Sequence, residues 1–315
     1  MTTTTAANMF NNIIGQDAAK RKLSFFIDGY RKRRTVPHVL LTAPKGTGKT
    51  MLAKEFARNL RDSSTQKPKP YLEINCATIK NLKSFVEQIM HVHMNDNDIT
   101  VLFDECSELP KDVTMALLTM LNPNKDDKNE FHYDGYSFDI DFKKITFIFA
   151  TTEPQDLFHA LVDRLERIDL DEYSYDELAQ ILQLNLEGIT FEGDILSRFI
   201  APTLRGNARA AAKMATHIKN YCASKGTNRF TLTGWRDLKR TLDILPFGMT
   251  KIELRLLETL HRDGMLRLYN LAAKMQMTRS AIQNGIEVYL QKLNLIEVTQ
   301  NGRRLTKDGE QLFKQ

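Results

Sequence analysis

The chain has 315 residues, 42% hydrophobic and 26% charged, which suits a folded protein of several domains and excludes a fibre or a disordered tract. A net charge of +5 would suit a polyanionic partner, but it is a thin surplus over 44 basic and 39 acidic side chains and decides nothing alone. Cys76, Cys106 and Cys222 lie far apart with no CxxC pair, which argues against a disulfide framework or a zinc ribbon and fits a reducing cytoplasm. The Thr/Ala opening at 1–8 lacks the blocks of a signal peptide, and no stretch approaches the roughly eighteen apolar residues of a membrane helix, so neither export nor a span is expected.

In chain order, β-rich runs at 36–42, 71–75, 99–103 and 144–150 alternate with helical stretches such as 50–60 and 80–90. That alternation predicts an α/β domain, a parallel sheet wrapped by helices, over 1–169. The pattern then turns helical at 175–186, 194–201, 208–225 and 235–242, which predicts a small helical domain over 170–245. After Pro246-Phe247-Gly248 come helices at 251–262, 268–275 and 280–293, then short strands at 295–298 and 303–306 around Asn301-Gly302. Three helices closed by a two-strand hairpin are the outline of a winged helix, here 246–315.

The sharpest signal is Ala43-Pro44-Lys45-Gly46-Thr47-Gly48-Lys49-Thr50, directly after one strand and opening a helix. That is the context a phosphate-binding loop (P-loop) requires. Gly46 and Gly48 let backbone N–H groups turn inward around a β-phosphate, the Lys49 ammonium reaches β and γ oxygens, and the Thr50 hydroxyl can ligate Mg2+. These residues predict ATP and Mg2+ as ligands. Ala43 stands where the consensus has glycine, and its methyl would crowd the loop if that position needed a positive φ. Some fifty residues on, Val101-Leu102-Phe103 runs into Asp104-Glu105, the pattern called Walker B. Asp104 is expected to hold the Mg2+ through its water shell and Glu105 to orient and deprotonate the attacking water.

From these motifs onward the chain resembles the RuvB family of AAA+ ATPases, in order and over nearly its whole length. The resemblance runs through Ile14-Gly15-Gln16, the strand His38 to Leu41, the phosphate loop, Asp104-Glu105, Ala150-Thr151-Thr152, Asp163-Arg164 and Gly206 to Arg209. It continues in Arg255 to Leu260, Asn270 to Ala272, Ile286 to Leu290 and Gly302-Arg303, an ending that clamp loaders lack. The resemblance implies an AAA+ parallel-sheet domain, a helical lid and a C-terminal winged helix. It puts Ile14 beside the adenine and Thr152, with Thr151 close behind, as the sensor of the γ-phosphate. It also makes Arg164, or failing it Arg167, the finger that completes a neighbour's site, and Arg209 the second sensor.

The family's winged helix contacts DNA, so Arg279, Arg303 and Arg304, with Lys274 and Lys307, are expected at phosphates and Gln283 and Asn284 on the recognition helix. The hairpin at 131–141 corresponds to the one that docks the family's junction-binding partner, RuvA. Its tip is aromatic and acidic, which suits a divergent adaptor, although Phe131, Tyr133, Tyr136 and Phe138 could equally be strand packing. The function implied is ATP-driven branch migration of four-way DNA junctions by a homo-hexameric ring on duplex DNA. The alternative is an AAA+ loader or regulator that uses ATP to assemble, with little translocation.

Overall fold

In a computed structural model that describes residues 9–62, 65–94, 97–122 and 124–314, the chain forms two compact units. One runs to Ile189 and adds Leu196–Ala201 and Gly206–Asn220. The other comprises Thr190–Ile195, Pro202–Arg205 and everything from Tyr221 onward. The segment expected as a helical lid is thus divided between them. The Thr/Ala opening run lies outside the described residues.

The first unit is built on five parallel strands: β1 (Val39–Thr42), β2 (Tyr71–Asn75), β3 (Ile99–Asp104), β6 (Ile145–Thr151) and β7 (Glu166–Asp169), in the order β2-β3-β6-β1-β7. Strands buried on both faces read as unbroken apolar runs, and β1 and β6 are buried at every position. Phe103 of β3 and Phe149 of β6 stack 5.0 Å apart on one face. β1 starts at Val39, later than the sequence suggests, because Pro37 has no N–H for a ladder. β7 escapes the sequence pattern: it is an edge strand with only Ile168 buried.

Helix α1 (Asp17–Arg33) buries Ala19, Leu23, Ile27 and Tyr30, a stripe at helical spacing, and ends where Arg34 turns left-handed at φ 64°. Helix α2 (Lys49–Arg58) grows out of the phosphate loop, and α3 (Lys111–Met120) covers the other face through Val113, Leu117 and Met120. The stretch expected as a helix at 80–90 is a capped turn, Leu82–Phe85, that widens into a π-helix, Val86–Met94. Strands β4 (Lys128–Tyr133) and β5 (Tyr136–Asp141) form the foreseen hairpin, turning through Asp134 at φ 44° and Gly135 at φ 82°. Phe131, Phe138 and Ile140 belong to the main core and Tyr133 and Tyr136 pack against it, so the hairpin's aromatics are packing groups. Helices α4 (Tyr175–Leu184) and α5 (Ala208–Lys225) follow. Between them, the helix expected at 194–201 is a π turn, Leu196–Ile200, and a 3-10 turn, Ala201–Leu204, which contains Pro202.

The second unit holds α6 (Leu232–Thr241), capped by Thr231, and the three-helix array α7 (Lys251–Asp263), α8 (Leu268–Met275) and a π segment, Ala281–Glu287, running on into α9 (Val288–Lys292). Antiparallel β8 (Ile296–Thr299) and β9 (Gly302–Leu305) close it over a core of Leu256, Leu260, Leu271, Ile282, Ile286 and Leu290. Gly302 is needed here: a Cβ would lie 2.5 Å from the Leu266 carbonyl oxygen, where Leu266 and Arg303 exchange backbone hydrogen bonds of 2.9 and 2.7 Å. Both the fold class and the three-helix-plus-hairpin outline agree with the sequence pattern.

Candidate active site

At the C-terminal ends of the parallel strands the first unit opens a cleft of about 280 Å³ lined by Lys45, Gly46, Gly48, Lys49, Thr50, Asp104, Glu105 and Arg209. Open parallel sheets place ligands at this end because loops from neighbouring strands converge there. Gly46 and Gly48 take φ values of 81° and 96°, so the loop needs glycine at both. Ala43 lies outside the left-handed region and its N–H donates to the Thr151 carbonyl at 3.3 Å, so the missing consensus glycine is no obstacle. Thr47 is buried and its hydroxyl donates to the Pro44 carbonyl at 2.8 Å, which braces the loop from inside.

The Lys49 side chain folds back over the loop, donating to the carbonyls of Ala43 at 2.8 Å and Pro44 at 3.3 Å. Burial pulls its pKa below the ordinary lysine value, against the opposing pull of the Glu105 and Asp104 carboxylates, and Arg209 and Lys45 add positive charge nearby. A further anion at this point, such as a phosphate, would favour the charged form. The Thr50 hydroxyl donates to Asp104 Oδ2 at 3.2 Å, which brings together two oxygen donors of the kind a hard divalent cation takes. Glu105 stands in a left-handed backbone conformation at φ 53°, a strained one for glutamate, with its N–H donating to Asp104 Oδ1 at 3.1 Å.

Several supports went unmarked in the sequence. The Gln16 amide, buried and left-handed at φ 57°, donates to the Asp171 carbonyl at 2.7 Å and accepts from the Asp171 N–H at 3.0 Å. It pins the half-buried Ile14 segment beside the chain that leaves β7. Asn207 donates to the Lys45 carbonyl at 3.1 Å, and the Ala208 N–H donates to the Gly46 carbonyl at 3.0 Å, so the start of α5 grips the loop and aims Arg209 at the cleft. Ser107 accepts a hydrogen bond from the Thr151 hydroxyl at 3.1 Å. Gln16 and Asn207 sit inside stretches the sequence had already singled out, but their partners are 155 and 162 residues away.

Thr151, rather than Thr152, sends a buried hydroxyl towards the acidic turn, while Thr152 is half-buried at the strand end. Arg164 is not among the residues that line this cleft. It lines a larger cavity of about 380 Å³ near His38, where it donates to the Ala160 carbonyl at 2.7 Å and to Asn122 Oδ1 at 3.3 Å. Arg167 donates to Asp169 at 2.8 Å.

In the wing one expectation needs correction. Arg303 is buried and forms a two-pronged ion pair with Glu287, at 2.7 and 3.2 Å, so its guanidinium is committed inside the domain and not offered to phosphates. Arg304, next along the strand, faces solvent beside Glu297, and Arg279 is exposed just before the π segment Ala281–Glu287. Lys274 pairs with Asp263 at 3.0 Å. Gln283 and Asn284 are exposed on that π segment.

A phosphate loop, an adjacent acidic strand end and an arginine at the start of α5, set on a five-stranded parallel sheet, are the arrangement of a P-loop ATPase domain of the AAA class. Residues 39–173 match the family of ATPases associated with various cellular activities (AAA), and residues 246–314 match the RuvB C-terminal winged helix domain. The Holliday junction branch migration complex subunit RuvB of Neorickettsia sennetsu is 27% identical over 310 residues, covering 93% of this chain and 88% of the relative. The solved Thermotoga maritima RuvB Holliday junction branch migration motor superposes with a TM-score of 0.74 at 23% identity, covering 97% of this chain and 96% of that one, and a point mutant of it gives 0.75. The chain thus joins an AAA ATPase domain to a winged helix of RuvB type, and it is similar to RuvB over nearly its whole length. No helix among the described residues is long and apolar enough to cross a membrane.

Proposed function

We propose that this chain is an ATP-driven DNA motor of RuvB type that moves four-way junctions by drawing duplex through a homo-hexameric ring. The observation that carries the reading is the presence, in one chain, of an AAA nucleotide cleft and a C-terminal domain of the RuvB winged-helix family. The three-part division at about 169 and 245 into ATPase domain, lid and winged helix belongs to the same reading.

In the cleft, Gly46 and Gly48 shape the cradle, and their positive φ values and the absence of Cβ atoms leave room for phosphate oxygens. Lys49 exchanges its carbonyl partners for β and γ oxygens, and Ile14 lies along the base. The oxygen donors Thr50 and Asp104 fit Mg2+, which when bound neutralises charge on the β and γ oxygens. Glu105 orients water and takes its proton, and Thr152 reads the γ-phosphate. Arg209 answers the γ-phosphate from the lid. Arg164 lies off its own cleft and serves the next subunit's, which makes hydrolysis depend on ring assembly.

DNA meets the wing through Arg304 and Arg279. Hairpin 131–141 meets a RuvA-like adaptor through its polar outer face, since its aromatics are held in the core. Glu130 and Asp139 stand directly opposite one another on that face. The buried free thiols Cys76, Cys106 and Cys222 suit a reducing cytoplasm.

Steady-state ATP hydrolysis measured with a four-way junction and with plain duplex of equal length tests the reading. A branch-migration motor is stimulated more by the junction; equal stimulation by the two DNAs would point to a loader and overturn the proposal.

A further inference from the structure

Thr151 ends the central strand β6, between β1, which delivers the phosphate loop, and β3, which delivers the acidic turn. Its side chain is fully buried and it reaches in three directions. Its carbonyl accepts the Ala43 N–H at 3.3 Å, its hydroxyl donates to Ser107 Oγ at 3.1 Å, and the same hydroxyl oxygen accepts the Glu153 N–H at 3.0 Å. Ser107 belongs to the short turn Cys106–Glu108, which is closed by the Glu108 N–H donating to the Glu105 carbonyl at 2.9 Å and rooted in the core by buried Cys106.

We infer that the Thr151–Ser107 hydroxyl pair is the positioning device that holds Glu105 in its left-handed conformation and keeps it in register with the phosphate loop. The inference rests on Glu105 being the group that activates water. A β-carbon disfavours the left-handed region, and the hydrogen bonds of Glu105 to Asp104 Oδ1 and from the Glu108 N–H stay within the acidic turn itself. The turn on its C-terminal side must therefore be tied down, and the pair ties it to the strand that also anchors Ala43. Phosphate loop and acidic turn are then set by one residue, so a shift of either is felt by the other. Neither hydroxyl lines the phosphate loop, which makes the pair a support that acts through Glu105.

The test compares Thr151→Val, Thr151→Ser and Ser107→Ala in the full chain with DNA, using Glu105→Gln as reference. Valine keeps the buried shape and removes the hydroxyl. The expected result for Thr151→Val and Ser107→Ala is a fall in kcat of roughly 10- to 100-fold, the cost of a misplaced reacting group, with KM for ATP unchanged and activity restored in Thr151→Ser. Unchanged kcat in Ser107→Ala, which sits at the half-buried lip and should fold normally, overturns the inference. So does a parallel loss of ATP binding and turnover, which would mean general distortion of the loop. Wild-type turnover in Glu105→Gln would instead remove the assignment of the base on which the inference stands.

Discussion

Arg303 and Arg304 are neighbours in one strand with opposite surroundings, and a pair of substitutions separates what each does. The Arg303 side chain is 11% exposed and that of Glu287 3%, whereas Arg304 and its partner Glu297 are 52% and 42% exposed. Removing one member of a buried pair strands the other charge without solvent, and the cost is about 3–5 kcal/mol. Arg303→Ala should therefore loosen the winged helix by that amount, read in the intact chain as amide exchange from Leu256, Leu271 and Leu290 accelerated by roughly two to three and a half powers of ten. Replacing both partners with apolar residues of similar volume should recover most of the protection, because no uncompensated charge remains. Arg304→Ala forfeits an exposed pair worth about 0–1 kcal/mol and should leave exchange nearly untouched. It should instead lower DNA affinity and reduce the slope of log affinity against log salt by about one. If Arg303→Ala left core exchange unchanged and reduced only that salt slope, the buried pair would be wrong and the arginine would be a phosphate contact after all.

Lys49→Ala should abolish ATP binding, while Glu105→Gln should bind ATP and stop turning it over; equilibrium binding of a fluorescent ATP analogue beside phosphate release distinguishes the two, and normal turnover in Glu105→Gln would refute the role given to it. Arg164→Ala should leave nucleotide affinity of isolated subunits intact but silence assembled rings, and mixing it with Glu105→Gln subunits should restore some turnover, because an intact arginine can then face an intact glutamate. His38, packed edge-on 4.7 Å from Phe142 with its Nδ1 buried and without a partner, has its pKa pushed by burial from 6.5 down to about 4. Between those values the unfolded chain takes up the proton and the folded one does not, so stability present above pH 6.5 is lost as pH falls towards 4, by up to about 3 kcal/mol. Thermal midpoints measured across that range should fall less steeply for His38→Asn than for the native chain.

The phosphate loop and Asp104-Glu105 were legible in the sequence because their chemistry is local: glycines must supply positive φ within a few residues of the lysine, and an apolar strand must end in the acids. The three-helix ending was legible for the same reason, its apolar periodicity being a property of short stretches, although the hairpin turns through Gln300-Asn301 and Gly302 already belongs to the second strand. Edge strand β7 was not, since Glu166, Arg167 and Asp169 stay exposed and only Ile168 marks a buried face. Arg303 was misjudged for a reason that the strand's own geometry could have exposed. Side chains alternate across a strand, so Arg303 and Arg304 cannot both face solvent on the same side, and the second acid needed to bury one of them was already present at Glu287. Period-two alternation limits the wing to one outward arginine but does not say which, and that choice is made by a helix sixteen residues upstream.

The same separation governs the cleft. Strands β1, β3 and β6 end in residues that a motif can find, yet what holds the ends of the sheet in register lies between strands: Thr151 to Ala43 and Ser107, Asn207 to Lys45, Gln16 to Asp171. These contacts span from 44 to 162 residues and have no local signature, since a threonine at a strand end or an asparagine after a glycine turn is common for other reasons. A sequence therefore displays the groups that touch phosphate more readily than the groups that aim them. Two chains with the same loop and acids can then differ widely in turnover through residues such as Ser107, whose importance depends on the left-handed turn two residues before it.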